Sequence, residues 1–422
     1  MKYIKKVLKN GLRVIVVPMK DNPTVTVLAM VETGSKYESK EINGLSHFLE
    51  HMTFKGTTKR PSAFVITKEL DGIGARYNAF TGEEYTGYYA KADKKHFGKI
   101  LDVVSDMYLN PIFPEKEIEK EKGVIKEEIN MYEDLPQQSI GWEFMKLLYG
   151  DTPAGRSVLG LKENIDRMSR HHFIDYRKAH YVAEATMVVV SGNIKTTNAI
   201  KGVEKAFQSI TTSSKSGKEK VVESQTAPRI ALKYKDTDQT HIVLGLRTFD
   251  TYNKKKTIMS VLRAVISGGM SSRLFQKLRD EMGVCYYVHA SHDTFTDHGY
   301  FAIAAGVDTA RIKEVIQVLL SELRRLTVEL VPKEELDRTK DFLAGGMYLG
   351  LESSDDLADF YGNQEILRKK IKEPKQIESE VRKVTAKQIR DLAKEIFVDE
   401  RLNLAIIGRF KDEKEFLDVL KF

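Results

Sequence analysis

The 422-residue sequence predicts an α+β protein made of two homologous domains, each with helices packed on a mostly antiparallel sheet. A weak internal repeat at an offset of about 216 residues is the first observation behind this prediction. Residues 25–30 lie opposite residues 241–246, and residues 187–193 lie opposite residues 403–409. The length is the second observation, because chains beyond about 250–300 residues divide into domains rather than enlarge one core.

The elements follow the same order in both halves. Each half opens with strands, passes through a helix and a turn into a hairpin, and continues through a long helical stretch to a last strand. Pro114 and Pro332 begin equivalent helices, because proline suits the first helical turn. Helices on one face of a sheet form a two-layer arrangement.

We place the domain boundaries by composition. Residues 211–228 are polar, contain glycine and serine, and show no apolar period in their first part, so they predict a linker. The first domain is then predicted over residues 1–210 and the second over residues 229–422.

The composition argues against several function classes. Hydrophobic residues at 41% and charged residues at 30% are typical of a soluble globular protein. The net charge of +7 is spread over interrupted runs, so we expect no nucleic-acid partner. No apolar run approaches the ~18 residues of a membrane span, and the N-terminus lacks a signal-peptide core. Cys285 is the only cysteine, so we expect a cytoplasmic protein without membrane attachment.

The most informative motif is His47-Phe-Leu-Glu50-His51, which lies in a helix-like stretch over residues 44–54. Residues four apart share one face of an α-helix, so both imidazoles can reach one metal ion. Glu50 lies at the edge of that face, where its carboxylate can accept a proton from an activated water. The order is the inverse of the commoner His-Glu-x-x-His motif.

A catalytic zinc site usually has three protein ligands, so a third one is expected from another element. A helix is predicted from Pro114 to about Glu133, with an apolar stripe of isoleucines. Glu121 and Glu128 are seven residues apart and therefore share one face. Charge alone leaves four candidates open: Glu117, Glu121, Glu127 and Glu128.

These motifs resemble peptidase family M16, the inverzincin group of pitrilysin, insulin-degrading enzyme and mitochondrial processing peptidase. The resemblance rests on His47-x-x-Glu50-His51 followed, 76 or 77 residues after His51, by a glutamate in a Glu-Lys-x-Val-Ile-x-Glu-Glu-Ile stretch. It implies that Glu128 is the third ligand of one Zn²⁺ per chain, with Glu127 as the alternative if the register slips by one. It also implies that Glu121 is the family's second conserved acid, and that the fold is of the LuxS/MPP-like metallohydrolase type.

The resemblance extends to substrate-contacting residues. Asn78 and Ala79, in the strand-like stretch 74–82, match the family's strand that pairs with an extended peptide. Arg279 and Tyr286 match the arginine and tyrosine of the second domain that hold substrate and stabilise the transition-state oxyanion. Tyr287 is the neighbour that a register error would promote.

The implied function is zinc-dependent endopeptidase activity on short unstructured peptides in an enclosed chamber. Only the first half carries a metal motif, because the positions opposite it are near Arg263, Ile266 and Ser267. Chains of this length in the family imply a homodimer or a heterodimer with a related chain. The alternative is a non-catalytic or partner-dependent processing or assembly subunit with the same fold, and retention of all the site residues favours the enzyme.

Overall fold

A computed structural model describes residues 2–422 of the chain. The strands of this part are β1 Ile4–Val7, β2 Arg13–Pro18, β3 Thr24–Val31, β4 Arg76–Thr81, β5 Thr86–Asp93, β6 Thr186–Gly192, β7 Arg229–Tyr234, β8 Gln239–Thr248, β9 Cys285–Thr294, β10 Gly299–Asp308 and β11 Leu402–Gly408.

The helices alternate with these strands in both halves. They are α1 Leu45–Thr53, α2 Ala63–Asp71, α3 Phe97–Leu109, α4 Glu115–Asp134, α5 Pro136–Tyr149, α6 Lys162–Arg167, α7 Arg170–His180, α8 Thr196–Ala206, α9 Lys256–Ser267, α10 Ile312–Val328, α11 Lys333–Leu349, α12 Ser354–Arg368, α13 Pro374–Arg382, α14 Ala386–Ile396 and α15 Lys414–Leu417. A π-helix over Phe275–Glu281 follows α9. None of the helices in residues 2–422 combines the length and the apolarity that crossing a membrane requires.

The first compact unit contains a six-stranded sheet in the order β1-β2-β6-β3-β5-β4. Its pairs are antiparallel except for β2 with β6. The hairpin predicted around residues 74–82 is β4 paired with β5, and β4 lies at the edge of the sheet.

The second unit contains a five-stranded sheet in the order β7-β11-β8-β10-β9. This is the order β2-β6-β3-β5-β4 again, with the single parallel pair between β7 and β11 in the equivalent place. The predicted repeat is confirmed at the strands that suggested it, because residues 25–30 lie in β3 and residues 241–246 in β8.

The compact units are not continuous stretches of sequence. The first unit comprises Met1–Asn130, Arg156–Glu219 and Leu349–Glu373, and the second comprises Met131–Gly155, Lys220–Tyr348 and Pro374–Phe422. Helix α5 therefore belongs to the second unit and α12 to the first. The boundaries 1–210 and 229–422 remain a prediction about the sequence repeat.

These two helices give each sheet a third layer, whereas the sequence suggested two layers. Strand β3 is buried at every position from Val25 to Val31 because α3 and α12 both pack on it. In β8, the side chains of Ile242 and Leu244 face the core of α9, α10 and α14, while Val243 faces Phe144 of α5.

Glycine permits both of these close approaches. A Cβ atom on Gly362 of α12 would lie 2.8 Å from Sδ of Met30 in β3. A Cβ atom on Gly245 of β8 would lie 2.7 Å from the ring of Phe144 in α5. At Gly245 the added atom would also lie 2.3 Å from the carbonyl oxygen of Phe301 in β10, so a larger residue there would clash within the sheet as well as with α5. At Gly362 the flexible Met30 side chain would have to shift.

The predicted linker over residues 211–228 contains no regular element. Ion pairs hold it to the folded units all the same. Lys215 bonds Glu32 at 2.9 Å in the first unit, and Glu223 bonds Arg247 at 2.7 Å in the second. These ion pairs lie within the segment and tie its two parts to different units.

Candidate metal centre

Helix α1 carries the motif and spans Leu45–Thr53, close to the predicted residues 44–54. Its apolar side chains are buried, and Phe48 packs edge-to-face on Phe173 of α7 with ring centroids 4.9 Å apart. This packing fixes the rotation of the helix about its axis. His47, which is buried, and His51, which is half-buried, consequently lie together away from this apolar face, with their rings 4.6 Å apart.

The first turn of α1 is held by a buried carboxylate. Glu38 accepts hydrogen bonds from the backbone N–H groups of Gly44 at 2.8 Å and Ser46 at 2.6 Å, and from the Asn43 amide at 3.1 Å. A negative group at a helix N-terminus satisfies unpaired N–H groups and favours the helix dipole. Burial raises the pKa of Glu38 to about 7, and these donors oppose the shift.

Helix α4 brings the third candidate ligand to the histidines. Ile118, Ile125 and Ile129 are buried and fix the helix face. Glu128 then lies beside the two imidazoles, whereas Glu127, the alternative, is exposed and outside the cluster. Oε2 of Glu128 is 3.6 Å from Nε2 of His47 and 3.6 Å from Nε2 of His51.

The three groups fit a zinc ion by donor type and by spacing. Two imidazole nitrogens and one carboxylate oxygen are a common catalytic zinc ligand set. Ligands about 2.05 Å from a tetrahedral ion are about 3.3 Å from each other. The observed 3.6 Å is close to that value and too long for a hydrogen bond between the groups themselves. Within residues 2–422, His47, His51 and Glu128 form the one cluster of three such groups with ligand atoms within 4.8 Å of one another.

The surroundings keep His47 neutral. Burial, with a smaller contribution from His51, lowers the pKa of His47 to about 3. A neutral imidazole presents a lone pair, which is the form that binds a metal ion. Nδ1 of His47 is buried without a hydrogen-bond partner in the described part of the chain.

His51 is oriented by a second carboxylate. Nδ1 of His51 lies 2.9 Å from Oε1 of Glu121, which leaves Nε2 directed towards Glu128. Lys55 lies 2.6 Å from Oε2 of the same carboxylate. Burial opposes the ionisation of Glu121, but the bonds from His51 and Lys55 outweigh it and lower its pKa. A charged Glu121 beside a metal-binding histidine is the usual arrangement for fixing the ring.

Glu50 projects from α1 towards the edge strand β4. The Thr81 hydroxyl donates to Oε2 of Glu50 at 2.6 Å. Burial raises the pKa of Glu50, and this hydrogen bond opposes the shift. A carboxylate whose pKa is raised above the ordinary range is a stronger proton acceptor.

The remaining predicted residues lie in two places. Asn78 is exposed and Ala79 is buried on β4, whose outer edge has no partner strand within the sheet.

Arg279 and Tyr286 lie in the second unit and contact each other. The guanidinium carbon of Arg279 is 5.1 Å from the centre of the Tyr286 ring, and Nη1 of Arg279 donates to the Tyr286 carbonyl at 3.1 Å. Tyr286 is 74% exposed. The alternative, Tyr287, has its hydroxyl 3.0 Å from Nδ1 of His241.

Three supporting residues were missed from the sequence. Lys55 and Thr81 each hold a carboxylate of the site, and Glu38 caps the helix that carries the motif. The sequence did contain a signal for Lys55, because it follows His51 by four residues and such residues are neighbours on a helix surface. Glu38 and Thr81 act through contacts between separate elements, which periodicity does not report.

Comparison with known families agrees with this geometry. A family model described as "Insulinase (Peptidase family M16)" matches residues 13–162, and one described as "Peptidase M16 inactive domain" matches residues 167–343. The chain belongs to peptidase family M16. Relatives at 34% and 33% identity match the chain over almost its whole length.

An uncharacterized zinc protease of Bacillus subtilis, YmxG, is 34% identical over 395 residues, which is 93% of this chain and 95% of that protein. An uncharacterized zinc protease of Rickettsia felis is 33% identical over 402 residues, which is 95% of this chain and 96% of that protein.

Among solved structures, a protease from Helicobacter pylori superposes with a TM-score of 0.89 at 21% identity, covering 96% of this chain and 99% of that one. A structure described as a peptidase M16 inactive domain from Pseudomonas fluorescens also superposes with a TM-score of 0.89, at 16% identity, covering 97% of this chain and 99% of that one. These two structures show the shared fold.

Proposed function

We propose that this member of family M16 is a zinc-dependent endopeptidase that hydrolyses short unstructured peptides. The observation that carries the proposal is the cluster of His47, His51 and Glu128 beside Glu50. The relatives are described as zinc proteases, which supports zinc as the cofactor and proteolysis as the reaction class.

The three clustered side chains would hold the ion. Zinc, when bound, lowers the pKa of a coordinated water towards ~7 and polarises a carbonyl group. Glu50 then accepts a proton from the attacking water and passes it to the leaving amine. Glu121 keeps the His51 ring oriented through a hydrogen bond with Nδ1 of His51, and Lys55 holds Glu121 in place.

Substrate binding is proposed at the free edge of β4. An extended peptide can add to that edge through backbone hydrogen bonds at Asn78 and Ala79, which gives affinity with little sequence selection. On the basis of the family resemblance, we propose that Arg279 and Tyr286 donate hydrogen bonds to the substrate and to the oxyanion of the transition state. We also propose an enclosed chamber, a cytoplasmic location and a dimer of this chain with a copy or with a related chain.

The deciding experiment combines metal analysis with digestion. The purified protein is analysed for zinc and incubated with a mixture of unstructured peptides and with a folded protein, before and after chelation and after zinc is restored. We expect about one zinc per chain, cleavage of the peptides alone, loss of cleavage on chelation and its return with zinc. Stoichiometric zinc without cleavage of any peptide would instead support the non-catalytic or partner-dependent subunit.

A further inference from the structure

The hydrogen bond between Thr81 and Glu50 joins two elements with different tasks. Glu50 lies on α1 beside the candidate ligands, and Thr81 is the last residue of the edge strand β4. The Oγ–Oε2 distance of 2.6 Å is short for a neutral donor and typical of a hydroxyl bonded to a carboxylate. In residues 2–422, Glu50 has no other hydrogen-bond donor.

The position of Thr81 is fixed by its surroundings. It pairs in register with Thr86 of β5, and the turn between them closes through the Gly82 N–H bond to the Tyr85 carbonyl at 2.9 Å. The backbone N–H groups of Ser35 and Lys36 donate to this turn, at the carbonyls of Gly82 and Glu83, with distances of 3.3 and 2.9 Å. A hydroxyl on such a braced turn can set the orientation of a side chain that it contacts.

The chemistry of the bond selects one carboxylate oxygen. A threonine hydroxyl has one proton, so it engages Oε2 alone and leaves Oε1 as the acceptor for the water proton. Without this bond, the glutamate side chain is free to rotate about its terminal torsion, which is broad and two-fold. Thr81 also lies about 6.6 Å along the strand from Ala79, so the peptide edge and the base share one support.

We propose that Thr81 is a positioning residue of the peptidase: it holds Glu50 in the rotamer that receives the proton and keeps this base in fixed relation to the peptide-binding edge. The inference rests on the proposed function, because it assigns Thr81 a role in that same reaction. Thr81 contacts the base rather than the reacting atoms, so its loss should slow turnover and leave metal and peptide binding in place.

The test uses the full chain with Thr81→Val, Thr81→Ser and the matched control Thr86→Val. Valine keeps the shape of threonine without the hydroxyl, and serine keeps the hydroxyl. Thr86 lies in the same hairpin as Thr81, but its hydroxyl donates to the carbonyl of Thr33, outside the hairpin, at 3.0 Å and does not contact Glu50. Zinc content, thermal unfolding temperature, kcat and KM for one unstructured peptide are measured for each protein.

We expect Thr81→Val to lower kcat about 10- to 100-fold, as for loss of a hydrogen bond to a charged group, with KM within about twofold and zinc stoichiometric. Thr81→Ser should keep kcat within about threefold of the unmutated protein, and so should Thr86→Val. A normal kcat in Thr81→Val overturns the inference. Failure of serine to restore kcat, or an equal loss in Thr86→Val, also overturns it, because the effect would then be structural. Unmutated protein that holds zinc and cleaves nothing contradicts the proposed function itself, which is a separate outcome.

Discussion

Helices α1 and α9 occupy corresponding places in the two halves of the chain but present different side chains. Where α1 has His47, Glu50 and His51, the repeat offset places α9 residues near Arg263, Ile266 and Ser267, and Ile266 is fully buried. Aligning the two helix-starting prolines places Gly346 of α11 opposite Glu128 of α4. The second half therefore lacks each of the candidate ligands and the base.

The difference teaches that the fold does not depend on the candidate site. Both helices keep an apolar face, Leu45, Phe48 and Met52 in α1 and Met259, Leu262 and Val265 in α9, and that face packs the core. The polar residues of the site lie off this face, so one half can keep them and the other can lose them without changing the strand order.

The largest expected effect follows from removing the base. Glu50→Gln should retain stoichiometric zinc and bind peptide, because Glu50 is not among the clustered ligands. Its kcat should fall by about 10² to 10⁴, since an amide cannot accept the water proton. Zinc analysis and single-peptide kinetics check this, with the exposed Glu127→Gln as the matched control. Near-normal turnover in Glu50→Gln would show that the first half uses a different base.

The contribution of the second half is tested by Tyr286→Phe in the full chain. Loss of one oxyanion donor typically lowers kcat about 10² to 10³-fold, with zinc and fold unchanged. Tyr287→Phe is the control, because that hydroxyl bonds His241 within the second sheet. Full activity in Tyr286→Phe would leave the second half with a structural role, and loss in Tyr287→Phe alone would move the assignment by one residue.

The two neighbouring glutamates of α4 test the register of the ligand. Glu128→Gln should weaken zinc binding more than about 100-fold, which is the upper end of the loss for an outer-shell partner. Glu127→Gln should leave zinc affinity unchanged, because Glu127 is exposed and outside the cluster. Titration of the apo-protein with zinc measures both variants. The reverse order would make Glu127 the ligand.

The last expected effect concerns stability rather than activity, and involves pH and a buried histidine outside the ligand cluster. Burial lowers the pKa of His180 in the first unit to about 4, from an ordinary value of 6.5. Between these pH values the unfolded chain binds a proton that the folded chain excludes. The free energy of unfolding should therefore fall as pH falls from 6.5 to 4, by up to about 3 kcal/mol.

Thermal unfolding of the unmutated protein and of His180→Gln across this pH range measures the effect. The variant should show a shallower fall in unfolding temperature with acid. His171→Gln, at an exposed position of the same helix, should retain the original slope. Identical slopes in all three proteins would remove His180 from the acid sensitivity of the first unit. His292 offers the same comparison for the second unit, because burial lowers its pKa to about 4.

A fragment of residues 1–210 would lose packing that the full chain has. Residues 1–210 lack α12, which packs on β3 and β6, and they include α5, whose apolar side chains pack on the second sheet. Such a fragment would expose the apolar surface of β3 and β6 that α12 covers, and the apolar side chains of α5. The variants above keep every layer in place.

The sequence by itself determined the repeat, the strands that carry it, the metal motif and the helix of the third ligand. These features are local: a period of two or 3.6 residues, a spacing of four or seven, and a proline at a helix start. The family resemblance then selected Glu128 over Glu127, and the orientation of α4 agrees with that choice. Only the tertiary structure decided which half α5 and α12 pack against, and which side chains hold Glu50, His51 and the start of α1. These depend on contacts between residues far apart in the chain, such as Thr81 with Glu50 and Gly362 with Met30, and packing of that kind leaves no periodic trace in the sequence.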